Sequence, residues 1–474
     1  MNDTPGMLRR HFGVWQATAL NVTMIVGAGV FITIPPMLAH LPGPYALLGW
    51  LVAGALILVD GLIWSELGAA LPGSGGSYLY LLESYGREKL GKLMAFLFIW
   101  QFMLSGPLEL ASGLIAMDTF SQALSPAWAD FNASHTIRVT LWESQGLALT
   151  FSPGRAAVIA VGFFLVLLLY RSVNTLGKLT FALWIGVLGI IGWVLLEGAL
   201  NFDPKVAFDF SGRAAKPTDF ATGLGAAMTL ALYSYLGYYN ICYVGDEVRD
   251  PGRTIPRAIL ISATLVVVLF CLVHLAMLGT VPWQEIPTEG QELDVYSLPA
   301  EFMRRCHGDW AVKLITLGLI GSCFASVFSG LLGYSRIPYG AARAGHFFRA
   351  VGTVHPRLHI PHVSLLLVGG MTLFWGFFDL QSVITALITT RILEQFVAQI
   401  VGVMLLRRTR PDLPRPFRIW LYPLPCLLAL AGWLFVYLTA KPVYIFMGLL
   451  TLLVGVVVYL IWRRKTGPGV GLSP

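Results

Sequence analysis

Twelve apolar stretches, each near the length that crosses a bilayer, follow one another along the chain. They fall at roughly residues 14–40, 43–71, 93–117, 155–171, 175–200, 219–245, 256–280, 311–342, 361–378, 381–406, 420–439 and 443–462. A spanning helix needs about 20 mostly apolar residues, and only a helix or a closed barrel satisfies its backbone inside hydrocarbon. The sequence therefore predicts an all-α polytopic membrane protein with 12 transmembrane helices. The 474 residues are 56% hydrophobic and 12% charged, against about 25% charged in soluble domains, which excludes a soluble enzyme. Residues 73–85 are too short and polar to cross, and predict a loop with an interfacial helix.

The charges orient the chain. With the N-terminus inside, 21 of the 32 Lys and Arg residues fall on the cytoplasmic side, nine outside, and two, Lys178 and Arg391, within or at the edge of spans. Membrane proteins concentrate Lys and Arg in cytoplasmic loops, so both termini are expected in the cytoplasm of a multi-pass cell-membrane protein. The net charge of +7 then describes orientation and implies no nucleic acid. Met1 to Arg10 leads into an apolar run too long for a signal-peptide core, so the first segment is expected to be a retained helix. Of five cysteines, only Cys306 falls in a polar loop, so no disulfide framework is expected.

Two runs contain what a plain lipid-facing helix avoids. The first is interrupted by Gly27-Ala28-Gly29 and then by Pro35-Pro36, and the sixth contains Tyr233-Ser234-Tyr235-Leu236-Gly237-Tyr238-Tyr239-Asn240. Glycine in a membrane helix often only permits close packing. These runs correspond, however, if runs one to five and six to ten are inverted repeats, and Gly-interrupted segments at matching places in two halves point to a transporter's binding site. The expected division is a transport core over 1–407, with repeat one at about 14–200 and repeat two at about 219–407, followed by two further helices and a tail over 408–474.

The matching stretches run in order along nearly the whole chain. They are Val26-Gly27-Ala28-Gly29-Val30-Phe31, Ser65-Glu66-Leu67-Gly68, Pro72-Gly73-Ser74-Gly75-Gly76-Ser77-Tyr78, Gly177-Lys178-Leu179, Gly245 to Arg257, Ser322-Cys323-Phe324-Ala325-Ser326, Ala342-Arg343-Ala344-Gly345-His346 and Arg410 to Phe417. In these the chain resembles the amino acid-polyamine-organocation (APC) superfamily, and within it the L-type amino acid transporter branch and its bacterial relatives. The resemblance implies the inverted-repeat fold of the sodium-coupled leucine transporter, with helices 1 and 6 broken, and secondary transport of an amino acid by alternating access.

It also implies site residues. Gly27, Ala28 and Gly29 would offer backbone N–H groups to a substrate carboxylate, while the carbonyls of Ile25 and Tyr233 would accept from its ammonium. Tyr233 would be the aromatic gate, Ser234 its neighbour, and Tyr238 would lie further into the pocket. Lys178 is either an interfacial lysine that snorkels to the cytoplasm or the lysine that replaces a sodium site and contacts Ser326. The resemblance favours the second, and with it sodium-independent transport by proton coupling or exchange. Family members that join a glycoprotein heavy chain use a cysteine in the outer loop; loop 118–153 has none, which implies a stand-alone carrier.

Ionisable residues inside spans are costly and therefore functional candidates. Glu109 could recognise a cationic side chain, relay a proton or serve as a hydrogen-bonded structural carboxylate. Asp60 is similarly unusual. Arg391 and Glu394, three apart on one helix, predict an internal ion pair, and His274 predicts a packing histidine. Gly86 to Lys92 has the glycine and lysine spacing of a phosphate loop, but Leu93 stands where Ser or Thr is required. No catalytic, metal or cofactor motif appears. A neutral amino acid carrier is thus expected, with a cationic amino acid or polyamine carrier, or a transport-fold nutrient receptor, as alternatives.

Overall fold

The computed structural model describes residues 12–73, 75–142, 147–169, 173–211, 217–287, 296–356, 358 and 360–466. Every one of the twelve apolar runs contains helix. The first half comprises α1 (Val14–Ile25), α2 (Gly29–His40), α3 (Ala46–Ala70), α4 (Ser77–Ser84), α5 (Gly91–Gln122), α6 (Pro126–Ser134), α7 (Pro153–Leu168) and α8 (Val173–Leu200). The second contains α9 (Pro217–Tyr235), α10 (Pro251–Leu278), α11 (Leu298–His307), α12 (Asp309–Tyr334), α13 (Arg336–Arg343), α14 (His362–Trp375) and α15 (Leu380–Thr409). Two last helices follow, α16 (Leu424–Thr439) and α17 (Pro442–Thr466).

Among the described residues, α3, α5, α10, α12 with α13, α15 and α17 are long and apolar enough to cross a membrane, and α1 with α2 passes as one bent pair. The residues 153–168, 185–200, 362–375 and 424–439 form shorter apolar helices. The helices of both sets carry exposed apolar side chains, among them Leu265, Leu272, Leu314, Leu317, Leu366, Phe374, Leu428 and Leu453. In water such a surface would drive association; hydrocarbon solvates it at no cost. The chain is a multi-pass helical membrane protein.

The first run breaks where the glycines predict. α1 stops at Ile25, Val26 takes an extended conformation with ψ 107°, and α2 restarts at Gly29 with a 52° bend. Pro35 and Pro36 do not interrupt it, because α2 continues through both to His40. The sixth run is helical only as far as Tyr235. Gly237 sits at φ +109°, a region open to glycine at little steric cost, and the chain continues as short 3-10 turns over Asn240–Tyr243 and Gly245–Glu247. The span expected over 219–245 is thus helical only in its first part and is interrupted at the glycine-containing stretch that the sequence singled out.

Between runs two and three, the short helix expected within residues 73–85 is α4. A one-turn π segment over Gly86–Leu90 joins it to α5. The segment between α5 and α7 is more structured than its composition suggested. It holds α6 and an antiparallel hairpin of β1 (Ile137–Trp142) and β2 (Leu147–Phe151), in which Val139 faces Leu149.

Packing in the bundle comes in matched pairs. α3 lies against α10 and α5 against α12; α9 packs on α3 as α1 packs on α10, and α15 packs on α5 as α8 packs on α12. α16 packs on α3 and α17 on both α5 and α15. Aromatic stacks fill the seams: Trp64 on Tyr239 with ring centroids 4.2 Å apart, and Phe396 on Trp433 at 3.8 Å. Offset or stacked pairs of this kind add about 0.5–1.5 kcal/mol beyond their buried area.

Candidate functional site

The two breaks face one another. Beside them lies a cavity of about 300 Å³ whose wall includes Ile25, Gly27, Ala28, Gly29, Glu109, Tyr233, Ser234 and Ser326. That volume is at the lower end for small-molecule sites, about 300–1,000 Å³.

The first break supplies free backbone polarity. Among the described residues, no acceptor receives the N–H of Gly27, Ala28 or Gly29, and no donor reaches the carbonyl of Ile25. Helix ends leave such groups unpaired, and the start of α2 adds a partial positive charge and the end of α1 a partial negative one. Buried backbone groups rarely stay unpaired, so this pattern suits a ligand carrying both an acceptor and a donor. The Tyr233 carbonyl already accepts from Leu236 N at 3.3 Å and keeps one lone pair.

Side chains complete the wall. The Tyr233 hydroxyl bonds Ser112 Oγ at 2.8 Å, and Ser112 Oγ in turn donates to the Glu109 carbonyl at 2.6 Å. These bonds hold the ring against the cavity and tie α9 to α5. Ser234 Oγ lies 3.1 Å from Thr33 Oγ1, joining α9 to α2. Ser326 on α12 crowds the first break, for a Cβ added at Gly27 would meet its Oγ at 3.2 Å.

Tyr238 departs from expectation. It is buried, contributes nothing to the cavity wall, and donates its hydroxyl to Asp60 on α3. Asp60 also accepts from Trp433 Nε1 at 3.3 Å, so this carboxylate ties the second break to α16 instead of facing a cargo.

Arg391 departs as well. Its guanidinium reaches across to α5, with Nη2 2.7 Å from Glu109 Oε2 and Nε donating to Ser105 Oγ at 3.1 Å. Tyr334 donates to the other Glu109 oxygen at 2.7 Å. The expected partner, Glu394, has no hydrogen-bond partner for either oxygen among the described residues. Residues 392–397 form a π turn, which winds wider than an α-turn and takes position 394 off the face that Arg391 occupies. Lys178 falls on α8 at a stretch whose side chains lie outside the described residues. His274 is fully buried and accepts from Trp50 Nε1 at 3.0 Å, as a packing histidine should.

Sequence reasoning missed Asn21. It is fully buried on α1, four residues before the break. Its Oδ1 accepts from Ile241 N at 2.9 Å, while its Nδ2 donates to the Tyr238 carbonyl at 2.7 Å and to Ser262 Oγ at 3.2 Å. An amide side chain within an apolar run, shortly before the glycines, was the available signal.

Comparison with known proteins supplies the family. The human cystine/glutamate transporter is 27% identical over 467 residues, covering 97% of this chain and 87% of that protein. The branched-chain amino acid permease BcaP of Bacillus subtilis is 23% identical, covering 97% and 94%. Mouse cationic amino acid transporter 4 is 28% identical over 418 residues, covering 85% of this chain and 61% of that protein. The profile of the family described as "Amino acid permease" matches residues 12–462. The chain therefore belongs to the amino acid permease family, whose named members here are transporters and not enzymes.

Proposed function

We propose that the protein is a secondary carrier of neutral L-amino acids, working by alternating access in the cell membrane with both termini cytoplasmic. The observation that carries this is the set of unpaired N–H groups at Gly27, Ala28 and Gly29 opposite the Ile25 carbonyl, on the wall of one cavity. A zwitterion would satisfy both ends: its carboxylate at the start of α2 and its ammonium at the end of α1 and the Tyr233 carbonyl. Tyr233 would close over it, with Ser234 alongside. The matched packing supports a five-plus-five inverted repeat over about 14–200 and 219–407 within twelve spans, with α16 and α17 outside it.

The named relatives carry anionic, neutral and cationic cargo, so substrate charge must come from this chain's own wall. Glu109 on that wall favours a cationic amino acid or polyamine as the second reading. Its pairing with Arg391 weighs against it, because a carboxylate already neutralised offers little to a second cation. The cavity extends along Leu20, Thr23 and Met24 on α1, while on the other side of the break Phe31, Phe120 and Leu230 enclose only about 40 Å³. That asymmetry supports an inward-facing arrangement.

Sodium independence is what the family resemblance implies for Lys178 with Ser326 as its expected contact, and the Ser326 hydroxyl adjoins the first break. Uptake of a radiolabelled neutral amino acid by proteoliposomes tests the whole reading, run with and without sodium, a pH gradient and internal amino acid. Uptake without sodium, driven by acid outside or by internal amino acid, is expected. Competition by putrescine alone would overturn the choice of cargo, and binding with no flux would favour a receptor.

A further inference from the structure

We infer that Glu109 and Arg391 form the charge filter of the cavity, so that the pair, and not either residue singly, makes the site accept an uncharged side chain. The inference rests on the reading of the cavity as an amino acid site and adds what sets its cargo. Glu109 stands on the cavity wall with its side chain 23% exposed, whereas Arg391 stands behind it at 3%. Their contact at 2.7 Å, with Tyr334 on the remaining carboxylate oxygen, leaves the part of the wall that the described residues form with no net charge. Arg391 is held in its recess by Ser105 and lies 6.0 Å from the Phe102 ring centroid.

Buried ions tolerate each other's company but not its removal: deleting one partner leaves an uncompensated and costly charge in a low-dielectric site. A ligand of sign opposite to the charge left behind recovers part of that cost. Removing the Glu109 charge therefore turns the wall cationic and invites an acidic side chain. Removing the Arg391 charge bares a carboxylate directly on the cavity and invites a basic one. Removing both restores a neutral wall of nearly the same shape.

The test uses the purified full chain, with ligand-induced thermal stabilisation and proteoliposome competition as readouts, and leucine, glutamate and lysine as probes. In the unaltered protein, glutamate and lysine are expected to compete at least about tenfold more weakly than leucine, since tenfold is only 1.4 kcal/mol. Glu109→Gln is expected to shift the glutamate-to-leucine preference at least about tenfold toward glutamate, and Arg391→Gln the lysine-to-leucine preference at least about tenfold toward lysine. The double variant is expected to return to leucine. Should Glu109→Gln not fold, Arg391→Gln, whose bared carboxylate reaches the cavity, and the double variant carry the test. Variants that bind leucine with unchanged charge preference overturn the filter alone. An unaltered protein that binds none of the three overturns the amino acid site, and the filter with it.

Discussion

The side-chain oxygen of Asn21 accepts the backbone N–H of Ile241 at 2.9 Å, so one residue of the first run caps the unwound part of the sixth. The same amide donates to the Tyr238 carbonyl at 2.7 Å. The second break is thus fastened to α1 by a single side chain that meets opposite backbone polarities. Asn21→Ala would leave both groups buried and unpaired, at about 1–3 kcal/mol each. We expect a lower unfolding midpoint in detergent together with lost uptake. Asn21→Asp should also fail, because it retains the acceptor but sets a second oxygen against the Tyr238 carbonyl. Unchanged stability in Asn21→Ala would remove the clamp from this account.

The glycines of the first break separate by what surrounds them. A Cβ at Gly27 would press on Ser326 Oγ at 3.2 Å, whereas one at Gly29 would meet Tyr233 and Ser234 atoms at 3.6–3.8 Å, which is ordinary contact. Gly29→Ala should fold normally and weaken substrate binding by filling the cavity. Gly27→Ala should lose transport, and adding Ser326→Ala should recover part of it by removing the crowding hydroxyl. Competition binding on the three proteins distinguishes these outcomes; equal loss in Gly27→Ala and the double variant would contradict the crowding.

Local chemistry made the breaks legible. Glycine spacing located the interruption at residues 26–28 because backbone freedom is encoded where it acts, and the same logic found Gly237. Pairings between distant segments were not legible. Arg391 and Glu394 looked like partners by helical spacing, but the π turn that separates them leaves no mark in the sequence that spacing alone reads. Glu109, 282 positions from Arg391 by their numbering, could be seen as unusual without its partner being seen. Tyr238 shows the same limit. The break placed it near the pocket, and only the burial of Asp60 on α3 explains why its hydroxyl turns away.

Glu66 holds the basic end of the bundle together. Its side chain is buried, accepts from Arg407 Nε at 2.8 Å and from Ile419 N at 2.8 Å, and lies 3.5 Å from Arg415 Nε. It therefore pins the end of α15 and the following segment to α3. Glu66→Gln would leave two guanidinium groups facing a neutral amide, and losing one member of a buried ion group costs about 3–5 kcal/mol. Because Arg407 is partly exposed, the lower end of that range is expected. Arg408→Ala, on an exposed position of the same helix, should change the unfolding midpoint little; an equal drop in both variants would contradict the role of Glu66.

His346 gives the fold a pH dependence at the same end. It follows α13 and bonds through Nδ1 to the hydroxyl of Tyr78 on α4. Burial pushes the Tyr78 phenol up to about 12, so it stays a donor. Burial first, and then the charges of Lys92 and Arg87, hold the imidazole below its ordinary 6.5, so neutral Nδ1 remains free to accept. The unfolded chain then binds the proton more readily than the folded one. Stability is full above pH 6.5 and falls as the pH drops through that value toward the depressed native one. His346→Gln cannot titrate, so its unfolding midpoint should fall less than that of the unaltered protein between about pH 7.5 and 5.5. Identical pH profiles for the two proteins would show that this contact does not couple protonation to folding.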